Sequence, residues 1–289
     1  MDVPELLGLG VVVLDKPCGP VSHEVTSWVK KMLGGTRAGH AGTLDPDVSG
    51  VLPVALGRAT KLLKYISGKR KRYVGICKFK KELPDEHIED IFANFRGEIE
   101  QTPPLVSAVK RVPRKRFVYS LELLEIKGKR VLFEANVEAG TYIRTLCEDI
   151  GKAAGTEAFM EELRRTAVGR IREESAHTVQ ELTDAHWLWK ENDDDSLLRK
   201  CIVPVDTLLH FRRVYVYENA AESLGKGAQL MAPGLAAAEP LIRKGEKVSI
   251  YTADRHVFVG VGVALFEGEE MNEKTRGKVV KSERIQFRV

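Results

Sequence analysis

The sequence predicts an α+β fold built on a mixed or antiparallel sheet, followed by a small β-barrel domain. Strand-like and helix-like periods interleave over the first two thirds of the chain without a strict βαβ rhythm. From Arg213 onward the texture changes to short β-type runs separated by glycine-bearing loops. A chain of 289 residues, 43% hydrophobic and 30% charged, has the length and composition of two folded domains, expected here at 1–210 and 211–289.

GVVVLDKP at 10–17 is a β-branched run halted by Lys16-Pro17, which reads as a buried strand. SHEVTSWVKKMLGG at 22–35 offers Ser22 as N-cap, Val25, Trp28, Val29 and Met32 at helical spacing, and two glycines as a stop. GHAGTLDPDVSG at 39–50 is a loop, because its glycines permit positive φ and Asp45 before Pro46 is pushed out of the helical region. RYVGICKFK at 72–80 alternates as a strand, and RVLFEANVEA at 130–139 does so with Val131, Phe133, Ala135 and Val137 on one face. Between them, DEHIEDIFANF at 85–95 places Ile88, Ile91, Phe92 and Phe95 on one helical face. GTYIRTLCEDIGKAAG at 140–155 repeats that period with Ile143, Leu146, Cys147 and Ile150, and TVQELTDAHWLW at 178–189 opens with Thr178 and Glu181 in capping-box register. The strands of the small barrel are RVYVYE, KVSIYTA, HVFVGVGVALF and RIQFRV.

The net charge of +4 is modest, but the cations cluster. Lys69, Arg70, Lys71 and Arg72 form one run, and Lys110, Arg111, Arg114, Lys115 and Arg116 a second, set against the acidic ENDDD at 191–195. Such runs suit a phosphate backbone as partner. The four cysteines are far apart with no C-x-x-C and the seven histidines show no ligand spacing, so neither a metal site nor a disulfide framework is indicated. No signal peptide pattern or membrane-length apolar run is present, and the expected location is cytoplasmic.

Two carboxylates, Asp45 and Asp47, stand in the glycine loop, where Asp-Pro and glycine are ordinary turn material. Read together with LDKPCGPVSH at 14–23, KRYVG at 71–75, QTPPLVSAVK at 101–110, GTYIRTLCEDIG at 140–151 and MEELRRTAVG at 160–169, the loop resembles the TruB/Cbf5 family of RNA pseudouridine synthases across most of 8–210. Residues 213–289 resemble its PUA domain, a small RNA-binding barrel. The short segments KFKKELPDEHIEDIF and SAVKRVPRKRFVYSLELLEI are closer to archaeal-type Cbf5, the catalytic subunit of H/ACA guide-RNA particles, than to bacterial TruB.

The resemblance implies isomerisation of uridine to pseudouridine in ribosomal or transfer RNA with no cofactor, guided by H/ACA RNA with Nop10, Gar1 and L7Ae type proteins as partners. Stand-alone action on the transfer-RNA T-arm is the alternative. One carboxylate suits this chemistry because it acts as nucleophile or base without a metal. By match to the family motifs, Asp45 is that group, Arg144 its cationic partner and Tyr73 the aromatic that stacks on the flipped uracil. His40, Lys16, Tyr142 and Leu163 are expected as supporting substrate contacts. A cation in the first turn of a helix opposes the macrodipole, so Arg144 calls for an anion nearby. The two basic runs would hold phosphates, positioning RNA without reading it.

Overall fold

The computed structural model describes residues 2–104 and 110–287, so residues 105–109 of the QTPPLVSAVK motif lie outside the described residues. The chain divides into two compact units, Met1–Val203 and Pro204–Val289.

The first unit begins with α1 (Val3–Leu9), whose free Glu5 N–H donates to the Asp2 carboxylate at 2.8 Å, and β1 (Gly10–Lys16), buried along nearly its whole length. In α2 (Ser22–Met32) the expected cap is displaced. Glu24 accepts the Val21 N–H at 2.8 Å, while Ser22 is already helical and turns its hydroxyl to Leu44. Val25 and Val29 face the core as expected, but Trp28 is 42% exposed.

The glycine loop is shorter than its sequence suggests, because β2 (Ala38–His40) and β3 (Val48–Leu56) take both of its ends. Then follow α3 (Leu63–Ser67), β4 (Lys71–Phe79), α4 (Asp85–Asn94), β5 (Gly97–Gln101), β6 (Arg114–Lys127), β7 (Arg130–Val137) and α5 (Ile143–Ala153). The unit closes with β8 (Ala158–Val168), β9 (Ile171–Arg172), α6 (Val179–Asn192), α7 (Leu198–Cys201) and β10 (Ile202–Pro204). On β7 the alternating set Val131, Phe133, Ala135 and Val137 is buried against Ile88, Ile91 and Phe92 of α4 and Ile143, Leu146 and Ile150 of α5 in one core.

The strands form a mixed sheet ordered β10-β1-β3-β8-β4-β7-β6-β5, with β2 paired to β3 and β9 to β8. Only one join along that path, β3 to β8, runs parallel among the described pairings, and it decides where the chemistry sits. Its register sets Val48 against Leu163 and Gly50 against Arg165, while β4 on the other side of β8 sets Tyr73 against Arg165. The approach is close: Gly50 has φ +102, and a Cβ there would lie 2.3 Å from the Arg165 carbonyl oxygen, so glycine is required.

The second unit contains β11 (Arg212–Val216), α8 (Glu218–Gly225), β12 (Leu230–Met231), β13 (Leu235–Ala238), β14 (Lys247–Thr252), β15 (Phe258–Ala264), α9 (Gly268–Glu273) and β16 (Lys278–Ile285). Its barrel-like sheet is ordered β12-β16-β15-β14-β11-β13 around a core that includes Val214, Val216, Ile250, Val259 and Val280. The last strand starts earlier than RIQFRV suggests, since β16 pairs with β15 from Ala264↔Val280 to Gly260↔Ile285.

Candidate active site

The sheet register, the loop before β3 and the first turn of α5 meet at one cleft of about 380 Å³ in the first unit. Asp45, Tyr73, Tyr142, Arg144 and Leu163 all line it, as do Lys71 and Arg165. Residues 99 positions apart in sequence, Arg144 and Asp45, are joined there by an ion pair from the guanidinium Nη2 to the carboxylate Oδ2. Their side chains remain 40% and 48% exposed, so the pair contributes little to folding, on the order of 0–1 kcal/mol. Its effect is positional: it aims the carboxylate into the cleft and answers the cation in the first turn of α5.

The loop that presents Asp45 is held on both sides. Ser22 Oγ donates to the Leu44 carbonyl at 2.9 Å and accepts the Leu44 N–H at 2.8 Å, a reciprocal clamp on the residue before Asp45. On the other side, the buried Lys16 ammonium donates to the Pro46 carbonyl at 3.2 Å and to the Pro17 carbonyl at 2.7 Å. Burial, above all, lowers the Lys16 pKa. Lys16 therefore supports the loop through its backbone and does not line the cleft.

His40 also stands outside the lining. It sits on β2 opposite Val54, its ring edge-on to His23 with centroids 6.2 Å apart. Burial, then the neighbouring His23 and Arg165, lower its pKa and favour the neutral imidazole.

Arg144 is anchored by a residue that sequence reasoning left without a role. Gln101 at the end of β5, 3% exposed, donates through Nε2 to the Tyr142 carbonyl and accepts the Tyr142 N–H on Oε1, both at 3.1 Å. Tyr142 precedes the first residue of α5, so this clamp fixes where the helix starts and where Arg144 points. Gln101→Leu leaves the Tyr142 N–H unpaired, while the Tyr142 carbonyl keeps the Leu146 N–H at 3.0 Å, and is expected to cost about 1–3 kcal/mol. Turnover should fall with little change in RNA affinity; unchanged melting temperature and rate would remove Gln101 from the site's support.

Arg165 is the other functional residue missed. MEELRRT reads as a helical stretch, yet it lies on β8, which places Leu163 and Arg165 on the cleft face with Arg164 between them facing away. Arg165 is 1% exposed, the largest fully buried side chain among the described residues. Its Nε donates to the Val51 carbonyl at 2.8 Å and its Nη2 to the Gly42 carbonyl at 3.0 Å, and Tyr73 stands opposite it on β4. Burial lowers its pKa from the ordinary arginine value. No local signal pointed to it, since the apolar residues Met160, Leu163, Ala167 and Val168 fall at helical spacing.

The two basic runs divide. Lys71 is a correction: expected at a surface to hold phosphate, it is 6% exposed and lines the cleft, with its ammonium donating to the Lys69 carbonyl at 2.8 Å and to the Ser67 carbonyl. Alternation on β4 explains it, since Lys71 shares its face with Tyr73. The other cations lie outside the cleft lining. The Arg70 guanidinium stacks 3.5 Å from the Tyr119 ring centroid, Arg72 faces Glu134 at 3.6 Å, and Lys115 pairs with Glu98 at 2.8 Å. Lys69 is half-buried, Lys110 and Arg111 are exposed, and Arg114 and Arg116 flank a small cavity shared with Gln101 and Tyr142.

Comparison with known proteins settles the family. The N-terminal domain model of the TruB family pseudouridylate synthases matches residues 30–143, the tRNA pseudouridylate synthase B C-terminal domain model matches 144–210, and the PUA domain model matches 212–286. The chain is 45% identical over 278 residues to a probable tRNA pseudouridine synthase B of Pyrobaculum arsenaticum, covering 96% of this chain and 84% of the relative. The chain belongs to the TruB family of pseudouridylate synthases.

A Pyrococcus furiosus relative with the same description is 44% identical, with 96% of this pseudouridylate synthase and 82% of the relative aligned. Among solved structures, the synthase is similar to a chain of a Cbf5-Nop10-Gar1 complex, with TM-score 0.88 and 43% identity over 99% of this chain and 87% of that one. It is likewise similar to a chain of an H/ACA RNP bound to a substrate RNA containing 2′-deoxyuridine, with TM-score 0.88 and 40% identity over 100% and 88% of the two chains. As a TruB-family enzyme it is an RNA uridine isomerase, and the α+β catalytic fold followed by a PUA barrel is as the sequence predicts.

Proposed function

We propose that this synthase is the catalytic subunit of a guide-RNA-directed H/ACA particle, isomerising uridine in ribosomal or transfer RNA with Nop10, Gar1 and L7Ae type proteins as its partners. The observation that carries the catalytic assignment is the convergence of Asp45, Arg144 and Tyr73 on one cleft. A uridine flipped from its stack enters that cleft and lies against Tyr73 and Leu163. Asp45, held in place by its ion pair with Arg144, is the group that attacks the ribose or takes its proton as the C1′–N1 bond breaks. After the base turns, C5 bonds to C1′, the C5 proton is lost and N1 regains a proton.

The similarity to chains solved with Nop10, Gar1 and substrate RNA supports the guided reading. The relatives described as probable tRNA pseudouridine synthase B support a second, stand-alone one. Tritium release from RNA labelled at uridine C5 separates them, because isomerisation expels that hydrogen. The expected result is release when the protein is combined with its partners, a guide and its target. Release from transfer RNA by the protein alone favours the stand-alone reading, and no release in either arm overturns both.

A further inference from the structure

Lys71 and Arg165 are two buried cations on adjacent strands, β4 and β8, and both line the cleft. They converge on Gly42, where a Cβ would lie 3.4 Å from Arg165 Nη1 and 3.9 Å from Lys71 Cε. Buried charges ordinarily have ionic partners. Here Asp45, the carboxylate lining the same cleft, is engaged by Arg144, and neither buried cation has an ion pair among the described residues. Lys71 spends two of its three N–H groups on the Ser67 and Lys69 carbonyls and keeps a third without a partner among the described residues.

The isomerase reaction itself supplies an anion for such a place. When C1′–N1 breaks, the electron pair stays on uracil N1 and spreads to O2 and O4, so the base departs as uracilate while Asp45 acts on the ribose. Resting on the isomerase reading, we propose that Lys71 and Arg165 form an anion hole in which the spare N–H of Lys71 donates to the departing uracilate and buried Arg165 adds a second, fixed positive charge. The geometry matches what such stabilisation needs: donors held in advance on buried side chains, where negative charge develops only during the reaction.

The test uses the full chain, with its partners and guide if turnover needs them. Single-turnover rates are read as loss of the starting nucleoside on RNAs bearing uridine or 5-fluorouridine at the target position. Fluorine stabilises the base anion, so 5-fluorouracil leaves with less help. Lys71→Met is expected to slow uridine by roughly 10²-fold, the size of losing one donor to a developing anion, and 5-fluorouridine by at least several-fold less. RNA affinity should stay within about 2-fold for both.

Lys71→Arg tests the same point without removing the charge. The groups facing Lys71 are Arg165 from β8, Tyr73 on its own strand, and Asp45 with Arg144 from the other walls of the cleft. Burial and then Arg165 bring the Lys71 pKa down to about 8, so kcat/KM of the wild type should fall as pH rises through about 8, and the arginine variant should lose that limb. Wild-type turnover of uridine establishes the isomerase reading independently of Lys71. With the wild type active, equal losses on both bases, a loss carried by RNA affinity, or an alkaline limb unmoved in Lys71→Arg overturns the anion hole.

Discussion

Asp45→Asn is expected to lower the isomerisation rate by about 10⁴-fold while RNA binding changes by no more than about 2-fold. Asparagine keeps the size of the side chain, and its carbonyl still accepts from Arg144, so the loop between Leu44 and Pro46 keeps its supports at Ser22 and Lys16. The negative charge is what disappears. Because the ion pair it makes is about half exposed, its loss touches folding by only about 0–1 kcal/mol, and the effect falls on the chemistry. Rate and affinity are read separately, by single-turnover tritium release and by RNA titration. A large loss of affinity or a collapse of the melting temperature would mean that Asp45 holds the loop together and is not the reacting group.

Arg165→Met is expected to destabilise the first unit by about 3–5 kcal/mol, and to lower its melting temperature by roughly 10 °C. The guanidinium is a fork that ties two parts of the site at once: the Val51 carbonyl in β3 and the Gly42 carbonyl in the loop. Methionine fills the volume but takes the donor from the Val51 and Gly42 carbonyls, which is where the cost arises. Arg165→Lys keeps a charge without the planar fork, and should recover only part of the loss. Calorimetry of the full chain measures both variants. A shift below about 2 °C would show that the carbonyls find other partners and that Arg165 is not a structural tie.

Much of the fold is legible in the sequence because the information is local. The alternation of Val131, Phe133, Ala135 and Val137, the helical spacing of Ile88, Ile91 and Phe92, and the Thr178 to Glu181 capping box all appear where expected, since each depends on neighbours within one or two turns. The misreadings share a cause as well. β3 is buried on both faces and carries Pro53, so it shows no alternation and contains a residue that argues against a strand. β6 and β8 are dense in charged residues, and one read as a basic run, the other as a helix. Ser22 looks like a cap, but its hydroxyl is drawn to a residue 22 positions away that no local pattern announces.

The site divides along the same line. Asp45, Tyr73 and Arg144 were legible as family motifs, and the misplaced cation at the start of α5 hinted at an anion. Gln101, Arg165 and the inward turn of Lys71 were not, because their roles exist only through pairings such as Arg165 with Val51, 114 residues apart. By itself the sequence determined many of the elements, the two-part organisation and the chemistry that one carboxylate can perform, all of which rest on short-range periodicity and motif order. The tertiary structure decided which cations are buried and which meet solvent, and how the loop, β4, β8 and α5 close on one cleft. That outcome depends on the parallel β3 to β8 register, a long-range contact whose free energy comes from burial rather than from any residue's local preference.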